Sequence, residues 1–215
     1  MQIILSMILL LFACSCSISS KDPKISLDER LSQVRAQYIR LFKYEIAKKR
    51  TDSSETEMFL QYIKTETGQE PGLAQSFRVD MATGSSKNGY RFDEINLGGD
   101  SAIRFRNEEY FVDGVNVAMA PFVWNKCELV IDKRPDKPVY SWGKRWMDMG
   151  NEEAADSGQL LYLIHSVSYL RASTIRWRVS IDFGTAPIEA FKELMTALKE
   201  QGVTKVVVET SQNSK

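Results

Sequence analysis

The stretch that decides the fold is Ile175-Arg176-Trp177-Arg178-Val179-Ser180-Ile181-Asp182-Phe183. Ile175, Trp177, Val179, Ile181 and Phe183 alternate with Arg176, Arg178, Ser180 and Asp182. That is the period of a strand with one wet face. Pro187 follows, at a helix start where its missing N–H costs nothing. Ile188, Phe191, Leu194, Met195 and Leu198 then recur at helical spacing, and Gly202 stands at the C′ position that tolerates positive φ. Val203 to Thr210 reads as a second strand. Strand, helix and strand with short links predict a parallel, right-handed βαβ crossover. The polar alternation on the first strand leaves one sheet face without helices. The expected fold is therefore α+β, a two-layer sandwich with a mixed sheet, a C-terminal βαβ unit and N-terminal helices.

Working back from this unit, residues 75–215 read as one α+β domain. Short strands are expected at Tyr90-Arg91-Phe92, at Ile103-Arg104-Phe105-Arg106 and over Phe122 to Ile131, with a hairpin over Tyr110 to Val117. Pro135 and Pro138 mark a loop, and the aromatic run Tyr140 to Met149 fits no simple pattern. Leu160, Leu161, Ile164, Val167 and Leu170 suggest an apolar face on a helix from Glu152 to Leu170.

Residues 26–70 read as a helical segment. Ser26 and Glu29 form a capping box, and Leu27, Leu31, Val34, Tyr38 and Leu41 recur at helical spacing. Asp28 and Glu29 in the first turn and Lys48, Lys49 and Arg50 in the last suit the macrodipole. A second helix is expected after Ser54, where Ser54 and Glu57 repeat the capping-box spacing, ending at Gly68 and Pro71-Gly72.

The N-terminus carries an address. Ile3 to Ala13 is apolar and uncharged, too short to span a bilayer, which takes about 20 residues. It closes on Leu11-Phe12-Ala13-Cys14, and a small residue before cysteine is what a bacterial lipoprotein signal needs. The expected processing removes residues 1–13 and places lipid on Cys14, with residues 14–25 as a tether. An ordinary cleaved signal and an uncleaved interfacial anchor are the alternatives, and all three send the chain out of the cytoplasm. Ser15 after the cysteine favours the outer membrane.

Lys plus Arg and Asp plus Glu balance at 28 each, so charge does not mark a nucleic-acid binder. Three cysteines give no disulfide framework. Cys127 reads as a buried small hydrophobe, with a Cys16–Cys127 bridge as the less favoured alternative.

The C-terminal residues also resemble the periplasmic domain of the ExbD/TolR family. The resemblance is carried by Val179-Ser180-Ile181-Asp182, Thr185-Ala186-Pro187, Phe191, Leu194-Met195, Leu198-Lys199 and Gly202-Val203-Thr204-Lys205-Val206. It implies a periplasmic docking module of that shape. The family's energy-coupling aspartate sits in an N-terminal membrane helix with no counterpart here, so its motor function does not carry over.

Catalytic and cofactor chemistry is not signalled. His165 is the single histidine. It lies in an apolar run and reads as a packed or surface residue, and one histidine without paired cysteines provides no metal-ligand set. The acids Asp93-Glu94, Asp100 and Asp148 to Asp156 lack the alternating spacing of a calcium loop. Two surfaces are candidates for binding. One is Trp142, Lys144, Arg145 and Trp146, where aromatic and basic groups suit sugar rings or a protein partner. The other is a basic sheet face formed by Arg104, Arg106, Arg176 and Arg178. Their plainer readings are a core edge and an ordinary solvated sheet face.

Helix 26–50, with seven Lys/Arg against three Asp/Glu, suits either anionic head groups or packing on the domain. The expected function is that of a non-enzymatic envelope lipoprotein, held to a membrane by its lipid and binding an envelope protein or peptidoglycan. A periplasmic inhibitor or immunity protein is the alternative.

Overall fold

The computed structural model describes residues 25–62, 73–95, 97, 102–135, 139–147, 160–168, 171–173 and 176–210. The N-terminal signal, Cys14, Cys16 and the Gly98-Gly99 turn lie outside them. Helix α1 covers Leu27–Lys49, and Ser26 Oγ accepts the Glu29 N–H at 3.1 Å, the first half of the expected capping box. Leu31, Val34, Tyr38, Phe42 and Ile46 are its buried stripe. Burying each such side chain contributes roughly 1.5–3 kcal/mol before entropy is counted.

Two sheets follow. The first is antiparallel, in the order β1 (Ser54–Gln61), β2 (Ser76–Ser85), β3 (Gly89–Asp93). The second contains β4 (Glu108–Val112), β5 (Val115–Met119), β6 (Cys127–Ile131), β7 (Ser166–Val167), β8 (Arg171–Ser173), β9 (Arg176–Asp182) and β10 (Lys205–Thr210). Its order is β4-β5-β10-β6-β9-β7, with β8 also paired to β9. Strands β4 and β5 form the expected hairpin around Asp113-Gly114, both at positive φ. Helix α2 covers Tyr140–Met147 and α3 covers Ile188–Glu200.

The C-terminal unit is a split crossover. Strand β6 is antiparallel to both β9 and β10, so those two run parallel with β6 between them, and β10 pairs in parallel with β5. Gly202 adopts φ +81 at the end of α3, where the Val203 N–H returns to the Leu198 carbonyl at 3.1 Å. The fold is α+β with a mixed sheet, as the alternation in β9 predicts. Among the described residues no helix is long and apolar enough to cross a membrane.

Helix α1 docks on the domain. Its buried stripe joins that of α3 and the inner faces of β5, β6, β9 and β10 in one core. Arg30 grips Glu108 on β4 through two hydrogen bonds of 2.8 and 2.6 Å, and Lys192 of α3 pairs with Asp28 at 3.0 Å.

Two expected helices are strands or non-helical chain. Ser54–Gln61 pairs along its length with β2, because Thr56, Met58, Phe59 and Leu60 suit a sheet and β2 offers a ten-residue partner. Residues 26–70 are therefore not one helical segment. In the expected helix 152–170, the described part from Leu160 to Ser168 is not helical and contains β7. Its apolar residues fit helical spacing, but backbone pairing wins. The His165 N–H donates to the Asp182 carbonyl and the Arg78 N–H donates to the His165 carbonyl, both at 2.8 Å. This segment thus stitches β2 of the small sheet to β9 of the large one.

Candidate functional site

Four groups from distant parts of the chain meet at that seam. In the β1–β2 ladder Thr56 faces Met81 and Met58 faces Val79, which sets Glu57 opposite Asp80. Both side chains are buried and both end on His165. Glu57 Oε1 lies 2.8 Å from Nε2, and Asp80 Oδ1 lies 3.0 Å from Nδ1. Asp182, from the end of β9, stands 3.9 Å from Nδ1. The ring is 2% exposed and Glu57 is fully enclosed.

The rest of the shell fixes these groups. Glu57 Oε2 accepts the Leu161 N–H at 2.7 Å. The Thr185 hydroxyl donates to Glu57 Oε1 and accepts the N–H groups of Tyr162 at 2.9 Å and Leu163 at 3.3 Å. Asp182 Oδ1 accepts the Gly184 N–H at 2.7 Å, and Asp80 accepts from the Ile95 N–H. Arg78 is buried beside the cluster, where it donates to the carbonyls of Glu57 at 2.7 Å and Met147 at 2.9 Å. The Tyr38 ring of α1 is buried over the same acids, and its hydroxyl has no hydrogen-bond partner among the described residues.

The electrostatics follow from crowding. Burial works to lower the pKa of His165, but the charge of Asp182 and the contacts with Asp80 and Glu57 outweigh it and raise it well above the usual value. Asp182 is raised to about 7 by burial, with the charges of Asp80 and Glu57 adding to it and the imidazolium opposing. Glu94, at the edge of the cluster, is also raised to about 7, by burial first and then by Asp80 and Asp182. Burial, helped by the same acids, pushes the Tyr38 phenol well above 10.0. Asp182 and Glu94 thus titrate near neutrality at the rim of the seam, beside the enclosed side chains of Glu57, Asp80 and His165. Among the described residues no three histidine, cysteine or acidic side chains are disposed to hold a metal ion.

An open cleft of 570 Å³ adjoins this network. One wall is the end of α1, with Phe42, Lys43, Ile46 and Ala47, and its C-cap Arg50. The other is Thr56, Leu160 and Tyr162. Phe42 forms the partition, its ring centroid 6.1 Å from that of His165. Backbone strain gathers here. Of the three non-glycine residues at positive φ among the described residues, Asp113 is accounted for by its tight hairpin turn, whereas Glu57 (φ 56) belongs to the network and Tyr162 (φ 62) lies beside it. The Tyr162 ring is 55% exposed at the cleft mouth, with the Arg35 guanidinium 5.8 Å from its centroid.

The residues singled out from sequence fall elsewhere. Trp142 is buried on α2 and donates to the Ala190 carbonyl at 2.8 Å, and Trp146 is half-buried and donates to Glu193 at 2.9 Å. Both indoles close the core edge against α3, while Lys144 is exposed and Arg145 pairs with Glu193 at 3.4 Å. Arg176 and Arg178 are exposed on β9, but Arg178 is neutralised by Glu128 and by Glu209 at 3.1 Å. Arg104 and Arg106 lie on non-strand chain leading into β4. Strands β4 and β9 are four positions apart in the sheet, roughly 19 Å. The four arginines therefore do not form one platform. Cys127 is buried and free in the middle of the large sheet, and burial pushes its thiol far up.

The network itself escaped sequence reading because its members are far apart in the chain. The available signals were a lone histidine in an apolar run and an acid, Asp182, ending a strand just before Gly184-Thr185. Comparison of the chain with known protein families, with curated proteins and with solved structures finds no match.

Proposed function

We propose that this protein is a lipid-anchored component of a bacterial cell envelope, acylated at Cys14, whose domain faces the periplasm and works by binding rather than by turnover. The observation that carries the reading is the division of labour in the site. The buried side chains of Glu57 and Asp80 close on the His165 ring inside the seam, 2.8 and 3.0 Å from its two nitrogens. The accessible concavity beside them offers apolar side chains and cations, a surface suited to recognition. The Leu11-Phe12-Ala13-Cys14 sequence supports the location, and the ExbD/TolR-like pattern of β9, α3 and β10 agrees with a periplasmic docking role. In this reading the outer membrane is the favoured site, with an envelope protein or peptidoglycan as the macromolecular partner.

The test is metabolic labelling of expressing cells with an alkyne-tagged palmitate, followed by envelope fractionation. Wild-type chain takes up label and sediments with membranes, whereas C14S takes up none. Unlabelled wild-type protein recovered in the cytosol would overturn the proposal.

A further inference from the structure

The cleft between α1 and the 160–162 segment has a composition that specifies a ligand. Leu160, Ala47 and the Tyr162 ring give it apolar walls, with the nearly buried Ile46 at its floor. Lys43 on α1 and Arg50, the extended C-cap of that helix, both line the cleft. Among the described residues neither is engaged in an ion pair. Among the described residues no acid lines the cleft, because Glu57, next in sequence to the lining residue Thr56, turns its carboxylate inward to His165 and Thr185. The site thus joins an apolar channel to two unpaired cations, and its volume falls within the range of about 300–1,000 Å³ typical of small-molecule sites.

Tyr162 supplies the independent sign that the mouth is held in shape. An exposed tyrosine at φ +62 is strained, and its posture is fixed by the hydrogen bond from its N–H to the buried Thr185 hydroxyl. The ring is thereby kept at the rim rather than folded over the surface.

We infer that this cleft binds a single-chain amphiphilic anion, an acyl chain along Leu160, Ala47 and the Tyr162 ring with its carboxylate or phosphate head between Lys43 and Arg50. The inference rests on the reading of the domain as a binding module and names the ligand class of that module. A charged head meets two hydrogen-bonding cations, and the chain leaves water for the apolar wall. Cations of the same length are repelled by the rim, and neutral alcohols gain only the wall.

The experiment is photolabelling of the full chain with a diazirine-bearing decanoate, with the adduct mapped by mass spectrometry. The label lands on peptides containing residues 42–50 or 160–162. Decanoate and decyl phosphate, added separately, each compete, and their ranking tells which head group is preferred. Decanol competes at least tenfold more weakly, and decyltrimethylammonium does not compete. K43Q/R50Q weakens labelling tenfold or more. A47W, a substitution at an exposed lining position, blocks labelling while the thermal midpoint stays that of wild type. Diffuse adducts, equal competition by decanol, or full labelling of K43Q/R50Q would overturn the inference. Running wild type and full-length C14S in parallel separates this outcome from the anchor: a chain that is never acylated at Cys14 still labels in the cleft if the inference holds.

Discussion

Gly184 lies directly against the imidazole of His165: a methyl group at its Cα would stand 2.2 Å from the ring Cδ2 and 2.5 Å from Nε2. With φ +47 the position is also in the left-handed region that glycine tolerates best. The glycine is what allows the β9–α3 link to close over the seam while its N–H still reaches Asp182. G184A must displace the ring from Glu57 and Asp80 as well as strain the turn. The expected loss is about 2–4 kcal/mol, read as a lower urea midpoint. A G184A chain with the wild-type midpoint would show that the ring is not held against this turn.

Removing one partner of the seam leaves its charges buried and uncompensated. E57Q and H165Q should each cost on the order of 3–5 kcal/mol, the penalty typical of breaking a buried ion pair. The double variant should cost clearly less than the sum, with a coupling of about 1 kcal/mol or more in a double-mutant cycle. Strict additivity in denaturant melts would mean the two side chains do not act as a pair.

The pH dependence has a definite sign. His165 is raised above its unfolded value, so its contribution is complete below the ordinary histidine pKa and fades as pH rises toward its folded pKa. Asp182 and Glu94, raised to about 7, hold protons in the folded state that the unfolded chain has lost, so stability falls between about pH 4 and pH 7. All three act in the same direction. The groups facing His165 are Glu57 from β1, Asp80 and Arg78 from β2, Glu94 after β3, Asp182 from β9 and Tyr38 from α1. The thermal midpoint should therefore be higher at pH 5 than at pH 8, by on the order of 5 °C. D182N should flatten the slope. A midpoint that rises from pH 5 to pH 8 would refute this account of the seam.

How much of this was legible depends on whether local pattern and tertiary context agree. In α1, α3, β9 and the β4–β5 hairpin they do: spacing, caps and turn residues all name the element that forms. Glu57 marks where they part. Its spacing from Ser54 imitates a capping box, yet the same carboxylate is the inward acid of a strand, and only the partner β2 reveals it. His165 is the mirror case, since Leu160 to Val167 carries helical spacing but pairing to two sheets at residues 165–167 keeps it out of a helix. The alternation in β9 sets Asp182 on its wet face, and pairing with the 165–167 segment shields most of it. A site assembled from residues 57, 80, 165 and 182 has no short-range signature to read.

The large sheet offers a last test, which separates contact from support. Arg176 and Arg178 look equivalent in sequence, two residues apart on one face of β9. In the fold they differ, because Glu128, against which Arg178 packs, is 4% exposed and depends on that guanidinium for its charge balance. R178A should lower stability by about 1–2 kcal/mol, since it strands a buried carboxylate. R176A, whose side chain is solvated, should stay within about 0.5 kcal/mol of wild type. If an envelope partner is lost with R178A, recovery of binding in R178A/E128Q would assign the loss to the stranded acid, and persistence of the defect would assign Arg178 to the contact itself. Equal midpoints for R176A and R178A would show that Glu128 does not need its arginine.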